Sequence, residues 1–124
     1  MIKVLFLFGL FFCGFSVVMG AFGAHVLKDK LSEYSMSIYD KAVFYQLFHA
    51  FGILITAVLA QIFNTQTFNL SGLLFIFGIL LFSGSLFVLS FTGIKWLGAI
   101  TPIGGVMFIL GWCLLFFKIL KMQI

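Results

Sequence analysis

The sequence predicts an all-α integral membrane protein, one domain built as a bundle of four transmembrane helices. Three observations carry that prediction. Hydrophobic residues make up 64% of the chain and charged residues only 8%, with a mean hydropathy of +1.30. A soluble domain of this size has too much surface for its volume to hide so much apolar area, so the solvent around it must be apolar. Uncharged runs long enough to cross a hydrocarbon core of about 30 Å, roughly 20 residues as a helix, recur along the chain. All three acids, Asp29, Glu33 and Asp40, fall between Lys28 and Lys41, which marks that stretch as the main aqueous segment.

The first run follows Lys3 and places a spanning helix over residues 4–27. Met1-Ile2-Lys3 resembles the basic start of a signal peptide, but the apolar run exceeds the 7–15 residues or so of a signal core, so an uncleaved helix is expected. Ser16, Gly20 and Ala24 form small-xxx-small steps on it, which fit tight packing within the bundle or a homodimer seam. In the acidic segment, Leu31, Tyr34 and Ile38 have helical spacing, and a short interfacial helix is expected within residues 29–37. Ser37-Ile38-Tyr39-Asp40 resembles a capping pattern, so the second span is read as 38–63. Asn64 to Asn69 is a short polar break, which implies an antiparallel pair with a third span over 70–92. The fourth span is 96–117. Pro102 removes a backbone donor and Gly104-Gly105 weaken the next turn, which predicts a kink at Pro102. Trp96, Tyr34, Tyr39 and Tyr45 are expected to form an interfacial aromatic belt.

Composition and motif content also limit function. The net charge of +4 comes from scattered lysines with no basic stripe, so a nucleic-acid footprint is absent. Cys13 and Cys113 form no CxxC and read as small buried hydrophobes. No nucleophile stands beside a base and an orienting group, no metal-ligand constellation occurs, and no phosphate loop is present, so neither an enzyme nor a cofactor protein is expected. His25 and His49 suggest axial ligands for a haem between the first two helices, a reading weakened by their unequal depths.

Polar residues inside the spans are costly and therefore informative. Tyr45, Gln46 and His49 are separated by three and four residues, which suggests one helical face. Counted at 1.5 Å per residue from the acidic end, His25, Gln46, His49, Ser83, Ser85 and Thr101 all lie within roughly 3–14 Å of one membrane face. Every helix thus contributes polar groups to one leaflet. Two readings follow. One is an interhelical hydrogen-bond network, with His49 tied to Ser83, Ser85 or a carbonyl freed by Pro102. The other is a small polar pocket formed by His25, Tyr45, Gln46, His49, Ser83, Ser85 and Thr101. Gly20, Gly23, Gly84, Gly98, Gly104 and Gly105, with Pro102, would let backbones approach each other or a ligand.

Four ordered blocks carry a resemblance: Gly20-Ala21-Phe22-Gly23-Ala24-His25, Tyr45-Gln46-Leu47-Phe48-His49-Ala50, Phe82-Ser83-Gly84-Ser85-Leu86, and Thr101-Pro102-Ile103-Gly104-Gly105 through Gly111-Trp112. Together they resemble the YwdK-like family of small bacterial inner-membrane proteins, a domain of unknown function with distant eukaryotic transmembrane relatives. The resemblance spans nearly the whole chain. It implies a multi-pass protein of the bacterial plasma membrane with both termini in the cytoplasm. Counting lysines by side gives three against four, which by itself sets no orientation. The expected role is a non-enzymatic accessory or binding protein whose partners are the bilayer and a lipid, small amphiphile, partner helix or second copy. A small transporter or channel is the alternative.

Overall fold

A computed structural model describes all 124 residues. Four helices are long and apolar enough to cross a membrane, and no strand is present. Helix α1 is Ile2–Phe22, prolonged by a π-helical turn over Gly23–Leu27; α2 is Glu33–Ile62 and α3 is Asn69–Thr92. A 3₁₀ turn, Lys95–Ala99, leads into α4, Thr101–Lys121.

The outer helices bury one narrow stripe each. In α1 the buried residues are Leu5, Gly9, Phe12 and Ser16, and in α4 they are Gly104, Phe108, Gly111 and Leu115. Both sets step by four, three and four residues, the spacing of a single seam. The inner helices α2 and α3 are buried more broadly, with Ala42, Ala50, Ala57 and Ala60 on α2 and Ser71, Gly72 and Ser83 on α3. Small side chains let these two backbones come close where lipid supplies no hydrophobic drive between helices. The order in space follows the chain: α1 packs on α2, α2 on α3, and α3 on α4. Helices α2 and α4 have no comparable backbone approach and meet through large aromatic side chains.

The ends of the helices differ from expectation in two places. There is no separate interfacial helix in 29–37. Ser32 caps α2, its hydroxyl accepting from Ser35 N–H at 3.1 Å, and the helix starts at Glu33. Ser37 is no cap; its hydroxyl donates back to the Tyr34 carbonyl at 2.8 Å. With 30 residues α2 is about 45 Å long, so its acidic first turns project beyond a core of about 30 Å. Nor does Pro102 kink a continuous helix. The span breaks at Ile100, and Pro102 lies in the first turn of α4, where an amide donor has no helical partner to lose.

Tyr39 departs from the interfacial belt. It is fully buried, and its hydroxyl donates to the Met19 carbonyl at 2.6 Å. Gly23 makes room for it, because a Cβ there would fall 2.6 Å from Tyr39 Cε1. The π turn lies directly beyond this contact, closed by Lys28 N–H to the Gly23 carbonyl at 3.0 Å. Tyr34 and Trp96 remain exposed, as a belt requires. At the end of α3, Gly93 has φ +70 and its N–H bonds the Leu89 carbonyl at 2.8 Å, a left-handed cap that suits glycine. Both cysteines are free; Cys13 is half-buried, while Cys113 is exposed on the outer face of α4 and is not the buried small hydrophobe expected.

Candidate functional site

The polar side chains are at related depths but point in different directions. Gln46 faces α1: its amide donates to Ser16 Oγ at 2.8 Å and to the Phe12 carbonyl at 3.3 Å. Ser83 faces α2 and donates to the Ala42 carbonyl at 2.8 Å. Ser85 meets Thr101 across the α3–α4 interface at 2.6 Å. These are separate interhelical bonds between neighbouring helices. Tyr45 and Gln46, adjacent in sequence, are about 100° apart around a helix of 3.6 residues per turn, so they do not share the single face expected of them. His25 is exposed on the π turn and does not line the site that His49 does, so the two histidines present no common axial position.

His49 is the exception to this pairing. It is 4% exposed, yet it reaches neither Ser83, Ser85 nor any carbonyl near Pro102. Its Nδ1 lies 2.8 Å from the Tyr45 carbonyl one turn earlier on its own helix. A carbonyl only accepts, so Nδ1 carries the proton and the neutral ring has its lone pair on Nε2. Nε2 has no partner within the protein. It is also not sealed, since the buried side-chain atoms without a partner are Asn69 Oδ1 and Ser71 Oγ alone.

His49 lines a cleft of about 540 Å³ between α2 and α4. Tyr45, Phe48 and His49 form its α2 wall, and Gly105, Phe108 and Trp112 form its α4 wall. The rim residues Phe44, Phe48 and Ile109 are all more than half exposed, so the cleft opens sideways toward the bilayer. The Phe108 ring stacks on the imidazole with centroids 3.4 Å apart and planes 8° apart. Tyr45 lies beside them, its plane within 16° of both rings. The hydroxyl of Tyr45, a residue that also lines the cleft, makes no hydrogen bond within the protein.

The cleft exists because α4 approaches α3 and not α2. Gly104 is pressed against Phe82 and the Gly78 carbonyl; its neighbour Gly105 faces the cleft, with Phe82 ring atoms 3.7 Å from a would-be Cβ. Of the other glycines expected at close approaches, Gly23 is tight and Gly20 has ordinary spacing. Gly84 and Gly98 would have nothing within 4 Å of an added Cβ, so they bring no backbones together. Gly9, Gly72 and Gly78, which no motif singles out, also sit at close approaches, as does Gly111 at the end of the fourth block. Their signal is spacing: Gly9 and Gly111 fall on the four-three-four stripes of α1 and α4. A second groove, about 470 Å³, lies at the acidic end between α1 and α2, with Gly20 and Gly23 in its floor and Lys28, Glu33 and Asp40 at its mouth.

The comparisons with known proteins find relatives named as membrane proteins. The family model described as "Protein of unknown function (DUF423)" matches residues 19–105. The chain belongs to this family. A UPF0382 membrane protein of Staphylococcus epidermidis is 46% identical over 119 residues, covering 96% of this chain and 97% of the relative. One from Staphylococcus haemolyticus is 47% identical over 106 residues and 86% of each chain. UPF0382 membrane protein YwdK of Bacillus subtilis is 40% identical over 114 residues, covering 91% of this chain and 93% of the relative. No solved structure matches the chain at a significant level. The family match includes the α2 wall of the cleft and Gly105, and ends before Phe108 and Trp112.

Proposed function

We propose that this member of the family is a non-enzymatic binding protein that takes a membrane-dissolved amphiphile, sideways from the bilayer, into the cleft between α2 and α4. The observation that carries the reading is His49: a buried polar ring that lines the cleft among aromatic walls and whose Nε2 has no partner in the protein. Every other polar side chain singled out within α2 to α4 at this level already has a bond, save the Tyr45 hydroxyl on the same wall. An unpaired polar atom in hydrocarbon costs free energy, which a guest bearing the complementary group recovers. Cleft size and apolar lining with a few polar groups are typical of small-molecule sites.

The test is native mass spectrometry of protein extracted in mild detergent, comparing wild type with Gly105→Leu. Gly105 lines the cleft and tolerates a Cβ, so a leucine there fills the space without a backbone clash. The wild type should retain one molecule of a single mass, and the variant should be bare. If wild type and Gly105→Leu fly equally bare, or carry the same adducts, the reading is wrong.

A further inference from the structure

We infer that the guest of this cleft carries a hydroxyl on an aromatic ring, a phenol or hydroquinone dissolved in the membrane, and donates it to His49 Nε2. This rests on the binding role proposed above and adds the chemical class. Three features of the site lead to it.

The first is the sense of the hydrogen bond. Because Nδ1–H is committed to the Tyr45 carbonyl, the open nitrogen is an acceptor. A guest offering only carbonyl, ether or ester oxygens cannot satisfy it. The second is depth. His49 lies eight residues beyond Lys41, about 12 Å along the helix axis from the last charged residue on that side. A diacyl phospholipid with its headgroup at the surface has its donors in that headgroup, and only acyl chain at the level of His49. The donor must therefore belong to a molecule that lies deeper. The third is plane. A donor to Nε2 approaches in the plane of the imidazole. A phenolic O–H lies in the plane of its own ring, so a guest ring can make this bond while lying parallel to the imidazole, a setting that the near-parallel Phe108 and Tyr45 rings select from the free rotation about the O–H···N axis. Parallel aromatic faces favour a flat ring in offset contact over a saturated chain. The free Tyr45 hydroxyl is available to a second oxygen on the guest.

The experiment measures saturable binding of tritiated 4-nonylphenol and of its methyl ether, 4-nonylanisole, to the full chain in detergent micelles. The two probes share ring and tail, and the methyl ether is the more hydrophobic, so tighter binding of the phenol reports the donor. One net hydrogen bond predicts tighter phenol binding by roughly 3- to 10-fold. His49→Phe keeps a ring against Phe108 and removes the acceptor, so the preference for the phenol should then be lost. The ratio is read first on wild-type protein, which needs no variant to fold. Equal, saturable binding of both probes that Gly105→Leu abolishes would overturn the donor inference while leaving the cleft as a site. A phenol preference that survives His49→Phe would also overturn it. Absence of saturable binding by either probe, together with a bare wild type in native mass spectrometry, would remove the binding role as well.

Discussion

Substituting alanine at two adjacent glycines separates the helix contact that shapes the cleft from everything else in α4. An added Cβ at Gly104 would lie 2.8 Å from Phe82 Cβ and 2.9 Å from the Gly78 carbonyl, with the Phe82 amide nitrogen closer still. Two of these are backbone atoms of α3, which have no rotamer to yield. Restoring ordinary contact of 3.4 Å or more requires α4 to retreat from α3 by about 0.5–1 Å, a gap that forfeits about a quarter to a half of each neighbouring van der Waals contact. Overpacking of this kind costs about 1–3 kcal/mol. At Gly105 the same Cβ meets only Phe82 ring atoms at 3.7 Å, an ordinary contact. Both substitutions share the gain of about 0.8–1.0 kcal/mol in helix propensity, so it cancels in the difference. Gly104→Ala should therefore be less stable than Gly105→Ala by about 1–3 kcal/mol, read from reversible unfolding of both variants in mixed micelles against SDS mole fraction. Variants equal within about 0.5 kcal/mol, where surface-like substitutions fall, would show that α3 and α4 do not touch at Gly104 and that the cleft wall is misplaced.

Three other outcomes are expected. In a double-mutant cycle with Ser85→Ala and Thr101→Val, the coupling should be about 0.6 kcal/mol, the membrane average, and no more than about 1.7; zero coupling would separate the two hydroxyls. Tyr39→Phe should cost about 1 kcal/mol for one lost hydrogen bond, and Gly23→Ala should cost more, about 1–3, because it displaces the whole ring; thermal unfolding in detergent gives the order, and the reverse order would dissolve the Gly23–Tyr39 contact. A cysteine placed at Ser37 should react with a membrane-impermeant maleimide applied to its own side, while one at Ala50 should not, since α2 projects from the bilayer over its first turns; protection at Ser37 would restore a helix lying flat in the interface.

Much of the fold is legible in the sequence because bilayer thickness and the cost of bare backbone polar groups leave few alternatives. The four apolar runs and the turn at Gly93 follow from that, while the break ahead of Pro102 reads in the sequence as a kink within one helix. What is harder to read is where a helix ends relative to where the membrane ends. The polar stretch Glu33–Lys41 looks like a loop because it is hydrophilic, yet it continues α2 into water under the Ser32 cap. The candidate site is legible in depth and not in direction. Depth is a count of residues, while direction depends on which neighbour each helix packs against. Gln46 turns to α1 and His49 toward α4, although both belong to the same two turns of α2. The cleft itself is signalled by aromatic residues at Phe44, Phe48, Phe108 and Trp112, which in so apolar a chain look like any other lipid-facing surface. Only the wide separation of α2 from α4 makes them walls.

The proposed role of the cleft rests on one nitrogen atom, His49 Nε2, and nitrogen NMR reads it directly. Protein labelled with ¹⁵N-histidine, in lipid nanodiscs, gives signals from two histidines, and exposed His25 serves as the internal control. His49 should show a protonated Nδ1 and a bare Nε2, and the Nε2 resonance should move upfield when 4-nonylphenol is added and stay in place with 4-nonylanisole. A proton already on Nε2, or an Nε2 signal that ignores both compounds, would contradict the account.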